Sequence, residues 1–228
     1  MPRSLAPQPL PLWPGGSNYP RRGLWRGSAL PPGVHLGTSA RLRPSLAARQ
    51  DNPRHILLSV IQAASGALAL HPRLNFFNYW GRLVWAGEPV RVAVVMENPD
   101  LTCDLVVVKE AHRMSRAQVA QALRQGRGQT PAGTWHRLRE RFPAACYHLE
   151  RLSGAYQRRN LRERAPLFIS MLGLEGIDFL AYTPTMAMAL YPGWPRNGRL
   201  PLTLCFSHQL GNARPLGRFL LTIKHLLE

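Results

Sequence analysis

Residues 200–228, LPLTLCFSHQLGNARPLGRFLLTIKHLLE, place three elements in succession. Residues 202–206 form a short apolar run of the kind a buried strand requires. Ser207 and His208 follow at its end, where the chain must turn. Asn212-Ala213 then opens a helix, because Asn is a preferred N-cap residue. Beyond it Leu216, Phe219, Leu220, Ile223 and Leu227 recur at helical spacing and predict one buried face. A strand thus hands His208 to a turn. Imidazole is the side chain whose unperturbed pKa lies nearest working pH, so its ring can exchange a proton there. A satisfied structural histidine is the plainer alternative.

The same alternation runs back through the chain. Residues 167–172 and 186–190 read as buried strands. Asn52-Pro53 is a helix start, with Pro at the first helical position, and Ile56, Leu57, Val60, Ile61, Ala64 and Leu68 continue at helical spacing towards His71-Pro72. Residues 83–85, 91–96 and 105–109 read as strands separated by Gly-Glu-Pro and Asn-Pro-Asp turns. Ser115 caps a helix through about Arg124, residues 126–133 read as loop, and a helical segment starting near Thr134 carries Leu138, Phe142, Cys146 and Leu149 with a kink at Pro143. Residues 35–44 have the texture of an edge strand. Helices alternating with strands and hairpins define an α/β class, a mixed sheet covered by helices. Residues 1–33 are crowded with Pro, Gly and Arg and read as an irregular N-terminal arm, with residues 34–228 as the domain. Leu10, Trp13 and Trp25 favour an arm that lies against that domain.

The formal charge is +17 over 228 residues, and no acidic residue precedes Asp51. Such a field attracts polyanions: nucleic acid, an anionic membrane or a phosphorylated cofactor. It is equally compatible with a solubilising surface, and no nucleic-acid recognition motif accompanies it. Cys103, Cys146 and Cys205 are odd in number, far apart and without CxxC pairing, which argues against a disulfide framework and a structural zinc site. His112, His136 and His148 lack metal-ligand spacing, so no metal is expected. The absence of a signal-peptide core and of any run long enough for a membrane span fits a cytoplasmic protein. Two smaller features have plain readings. The run Phe76-Phe77-Asn78-Tyr79-Trp80 reads as core and edge packing before base stacking. The Arg158, Arg159, Arg162, Arg164 cluster is compatible with a solvated loop, a coenzyme A phosphate contact or a nucleic-acid contact.

Four pieces of the chain, in order, resemble one family. Ala67-Leu68-Ala69-Leu70-His71-Pro72-Arg73-Leu74-Asn75 is similar to its helix-ending segment Ala-Leu-x-x-x-Pro-x-Leu-Asn. Arg91-Val92-Ala93-Val94-Val95 is similar to the sheet strand that follows. Residues 168–178, FISMLGLEGID, resemble its Thr-Ile-Ser-Asn-Leu-Gly-Met-Phe-Gly run. His208-Gln209-Leu210-Gly211-Asn212-Ala213 stands where the family has His, three residues, Asp, Gly. The family is that of chloramphenicol acetyltransferase and the dihydrolipoamide acyltransferases of 2-oxo acid dehydrogenase complexes. The resemblance spans roughly residues 33–228. It implies a chloramphenicol-acetyltransferase-like fold and transfer of an acyl group between a coenzyme A or carrier thioester and a thiol, hydroxyl or amine acceptor. It further implies His208 as general base, Ser170 as oxyanion donor, Asn212 as a brace for the histidine loop, and a homotrimer with its site between subunits.

This sequence departs from the pattern at four places. The motif aspartate is Asn212, the motif glycine Ala213, and the residues flanking the histidine are Ser207 and Gln209. Some dihydrolipoamide acyltransferases also carry Asn at the aspartate position, and an amide can still hydrogen-bond. The same departures motivate a rival reading, an inactive relative that serves as scaffold or binding module. With no lipoyl domain recognisable, the resemblance points to a free-standing enzyme or a cut-down relative.

Overall fold

A computed structural model of the chain describes residues 33–79, 82–97, 103–127, 142, 165–171, 188–207 and 212–228. Its strands are β1 (Gly33–Arg41), β2 (Phe76–Tyr79), β3 (Arg82–Trp85), β4 (Arg91–Glu97), β5 (Cys103–Lys109), β6 (Leu167–Ile169), β7 (Met188–Pro192) and β8 (Arg199–Ser207). Its helices are α1 (Pro44–Ala47), α2 (Pro53–Leu70), α3 (Arg116–Gly126) and α4 (Ala213–Leu227). Six strands join one mixed sheet in the order β1-β8-β7-β6-β4-β5, and β2 and β3 pair separately. The pairs β4/β6 and β6/β7 are parallel and the others antiparallel. The mixed α/β architecture is the one the alternation of patterns predicts.

Strand alternation sorts the side chains onto two faces. Leu200, Leu202, Leu204 and Phe206 of β8, Met188 and Leu190 of β7, Leu167 and Ile169 of β6, and Val92 and Val94 of β4 all enter the main core. Against them pack Ile56, Val60, Ile61, Ala64 and Leu68 of α2 and Leu216, Phe219, Leu220, Ile223 and Leu227 of α4. The buried face of α4 is thus the one its 3.6-residue period predicts. On the other face of the sheet, Ala189, Tyr191 and Cys205 form a second buried cluster with Phe168 against it. There His35 Nδ1 lies 3.1 Å from Cys205 Sγ, between directly paired residues of β1 and β8.

Local chemistry sets the element ends. Asn52 caps α2, its side chain accepting from His55 N–H at 3.2 Å. Ser115 and Gln118 form a capping box at the start of α3. Several boundaries differ from the sequence reading. The four-residue α1 is too short for a periodic signal. β6 stops at Ile169, three residues earlier than expected, and β7 runs to Pro192, two residues past the expected end. β8 begins at Arg199, because the turn at Asn197 and Gly198, both at positive φ, folds the chain back onto Arg196. The expected helical segment from Thr134, apart from Phe142, and the 1–33 arm, save its last residue, lie outside the described residues.

Two expected outcomes follow from the packing of the helical layer. Gly126 ends α3 directly over β5, and a Cβ there would fall within the van der Waals shell of Val106 Cγ1. Gly126→Ala is therefore expected to destabilise by about 1–3 kcal/mol through overpacking, although Ala is the better helix former by about 1 kcal/mol. A lowered urea midpoint reports it; a raised one contradicts the close approach.

The second concerns His71, at the C-terminal end of α2. The Thr222 hydroxyl donates to the Arg218 carbonyl, so its oxygen accepts from His71 Nε2–H at 2.8 Å, a bond open to both the neutral and the charged ring. Its edge meets the Phe219 ring at a centroid distance of 5.9 Å. Burial lowers its pKa below the ordinary 6.5. The unfolded chain then binds the proton more readily than the folded one. His71 stabilises the fold above pH 6.5, and that contribution is lost as pH falls through the lower folded value. The melting temperature is expected to drop on acidification below pH 6.5, and His71→Gln to remove part of that slope. An unchanged slope in the variant contradicts the assignment.

Candidate active site

β8, paired with β1 up to Ser207 and with β7 over residues 202–205, carries the chain to one residue before His208. His208 itself lies outside the described residues. Asn212, half-buried, occupies the N-cap position of α4, but its side chain makes no capping hydrogen bond, unlike Asn52 and Ser115. The interaction that makes Asn a preferred N-cap residue is thus not one this side chain makes. Ser170 is half-buried just past the end of β6, and its N–H donates to the Leu190 carbonyl at 3.1 Å.

The sheet register decides which of these residues can meet within one chain. Ile169 lies beside Leu190, and Leu190 opposes Leu204. Ser170 therefore falls level with Tyr191 and Thr203, whereas Ser207 is four residues further along β8. At about 3.3 Å per residue, and with two inter-strand steps of about 4.8 Å, roughly 16 Å separates them. Ser170 and Ser207 stand towards opposite ends of the sheet.

A second feature was not singled out from the sequence. Arg43 and Arg49 flank α1, His55 lies in the first turn of α2, and Arg116 is the first residue of α3. Arg116 Nη1 donates to His55 Nε2 at 2.8 Å, which makes His55 the acceptor and puts its proton on Nδ1. Burial, then the charges of Arg116 and Arg49, lower the His55 pKa. Burial, then Arg43 and Arg49, lower that of Arg116. Neither helix has an acidic residue in its first turn, so two positive dipole ends add to the field. The ion pairs among the described residues, Arg113–Glu110 and Lys224–Glu228, lie elsewhere, and Asp51 makes none within 4 Å there. Four nitrogen-bearing side chains thus converge without a carboxylate, an arrangement that an anion would stabilise. The sequence signal was present: both helices begin with basic residues where acidic ones are usual.

No family model and no curated protein sequence matches the chain. Solved structures do. A probable dihydrolipoamide acetyltransferase from Listeria monocytogenes superposes with a TM-score of 0.57, at 15% identity over 86% of this chain and 84% of its own. The Azotobacter vinelandii dihydrolipoamide acetyltransferase gives 0.56 at 18% identity, covering 86% and 82%. A chloramphenicol acetyltransferase gives 0.52 at 14% identity, covering 87% and 90%. The chain has the acyltransferase fold that these proteins share. Its architecture is chloramphenicol-acetyltransferase-like, as the four sequence pieces implied. Among the described residues, no helix is long and apolar enough to cross a membrane.

Proposed function

We propose that the protein transfers an acyl group between a coenzyme A or carrier thioester and a thiol, hydroxyl or amine acceptor, at a site assembled between subunits. In this reading His208 of one subunit takes the acceptor's proton as the acceptor attacks the thioester carbonyl. The Ser170 hydroxyl of the neighbouring subunit donates to the developing oxyanion, and Asn212 steadies the turn that carries the histidine. As the tetrahedral species collapses, the thiolate leaves and the histidine returns the proton to it, so no acyl-enzyme forms.

The observation that carries the proposal is the shared fold, together with a strand that ends one residue before His208 and a helix that starts after Asn212. The Azotobacter structure comes from a study of the role of a serine, a histidine and an asparagine four residues after it in the catalytic mechanism of that enzyme. Ser170, His208 and Asn212 are the same three residue types, with the same histidine–asparagine spacing. The roughly 16 Å between Ser170 and Ser207 supports a shared site, and a cyclic trimer of the kind the resemblance implies would create one.

The cluster of Arg43, Arg49, His55 and Arg116 suits the phosphates of coenzyme A, a polyanion that would relieve its like-charge crowding. Arg49→Gln with Arg116→Gln is expected to raise KM for acyl-coenzyme A by about tenfold or more, since a charge-assisted hydrogen bond contributes roughly 1.5–3 kcal/mol. The kcat should change little. Equal losses for acyl-coenzyme A and for an acyl-pantetheine lacking the nucleotide would contradict this phosphate role. The wider test is release of free thiol from acetyl-coenzyme A with a panel of thiol, amine and hydroxyl acceptors. Turnover that depends on His208 supports the enzyme; no turnover across the panel assigns the chain to the non-catalytic scaffold reading.

A further inference from the structure

We propose that the outward stripe of α4, together with the exposed C-terminal end of α2, is a docking surface for an acidic amphipathic helix of a partner protein. Two leucines stand out on this layer, Leu70 at 67% exposure and Leu221 at 56%. They adjoin the two residues joined by the His71–Thr222 hydrogen bond, Leu70 preceding His71 and Leu221 preceding Thr222, so they lie beside the same inter-helix contact. The charges nearest them are basic, and the carboxylate just past the end of α4, Glu228, is held by Lys224 and by the Arg41 N–H. Arg214, Arg218, Leu221 and His225 follow one another at four, three and four residues, all exposed, and so line one outward stripe of α4. Arg73, also exposed, adds a guanidinium just beyond Leu70. Neither α2 nor α4 contains an Asp or Glu.

An apolar pair within a basic field fits an occupant that is apolar and acidic. A second copy of this face does not qualify, because its guanidiniums would meet their own kind. The 1–33 arm does not qualify either, since it contains no acidic residue. A membrane-lying helix needs a broad apolar face, and that of α4 is already buried in the core. A helix with leucines at i and i+4 flanked by glutamates meets both requirements. This surface is independent of the acyl-transfer reading.

The experiment titrates full-length protein with a fluorescein-labelled synthetic helix of that pattern. A scrambled peptide of identical composition and vesicles of phosphatidylserine and phosphatidylcholine serve as the other arms. Saturable binding to the patterned helix is expected, weakening steeply with added salt. The variant L70Q/L221Q should lower affinity about tenfold or more with its melting temperature unchanged. The variant R73Q/R218Q should reduce the salt dependence. Equal affinity for the scrambled peptide, indifference to both variants, no peptide binding, or vesicle binding in place of peptide binding would each overturn the proposal.

Discussion

His208→Ala is expected to lower turnover of acyl-coenzyme A by roughly 10²- to 10⁴-fold, the usual contribution of a positioned general base. The loss should fall on kcat, because the base acts on the acceptor's proton in the transition state and adds little to thioester binding. The fold should be untouched: β8 ends before the substituted residue, and its pairing with β1 and β7 is made by residues 199–207. Unchanged thermal unfolding alongside lost activity is thus the expected pair of results. Ser170→Ala should cost on the order of 10²- to 10³-fold, as removal of one oxyanion donor does. Full activity in the His208 variant would leave the shared fold standing and remove the chemistry assigned to it.

Phe206→Ala is the opposite case, a large expected loss of stability. Phe206 is fully buried and pairs with Val34 of β1 two residues before the histidine turn. Truncation of such a ring costs about 3–5 kcal/mol, from lost transfer energy and the cavity left behind. Single domains are stable by only about 5–15 kcal/mol, so this one change removes a large share. Leu105→Ala, at a half-exposed leucine on the edge strand β5, should move stability by no more than about 0.5 kcal/mol. A denaturant titration of the two variants separates these outcomes. Similar midpoints would contradict the placement of Phe206 at the centre of the core.

The elements most legible in the sequence are those whose burial leaves a periodic trace. Leu216, Phe219, Leu220, Ile223 and Leu227 announced α4 because one face of an isolated helix repeats every 3.6 residues. Asn52-Pro53 and Ser115 announced two helix starts because capping is a local interaction. Short elements left a weaker trace: the sequence reads β6 as an apolar run three residues too long, and it does not read Pro44–Ala47 as a helix. Pro44–Ala47 is a single turn, and three-residue β6 is defined by its neighbours β4 and β7 more than by its own pattern.

The site was legible in part. His208, Ser170 and Asn212 were reached through motif spacing. Their distribution over the molecule depends on strand order and register, which no local pattern encodes: β6 and β8 sit either side of β7, so Ser170 and the end of β8 face opposite ends of the sheet. The convergence of Arg43, Arg49, His55 and Arg116 is likewise non-local. Arg116 and His55 are 61 residues apart in the chain and meet only because α3 returns beside α2. The His71 interaction with Thr222 is of the same kind, bringing together residues 151 positions apart.

The assembled site has a direct test in subunit complementation. His208→Ala and Ser170→Ala chains, each inactive alone, are mixed under conditions that allow subunits to exchange. If histidine and serine come from different subunits, random reassociation into cyclic trimers restores an intact pair at about one quarter of the sites, and activity returns towards that fraction of the parent's. Activity that stays at the level of the separate variants, with exchange verified by a mass-tagged subunit, would contradict the account.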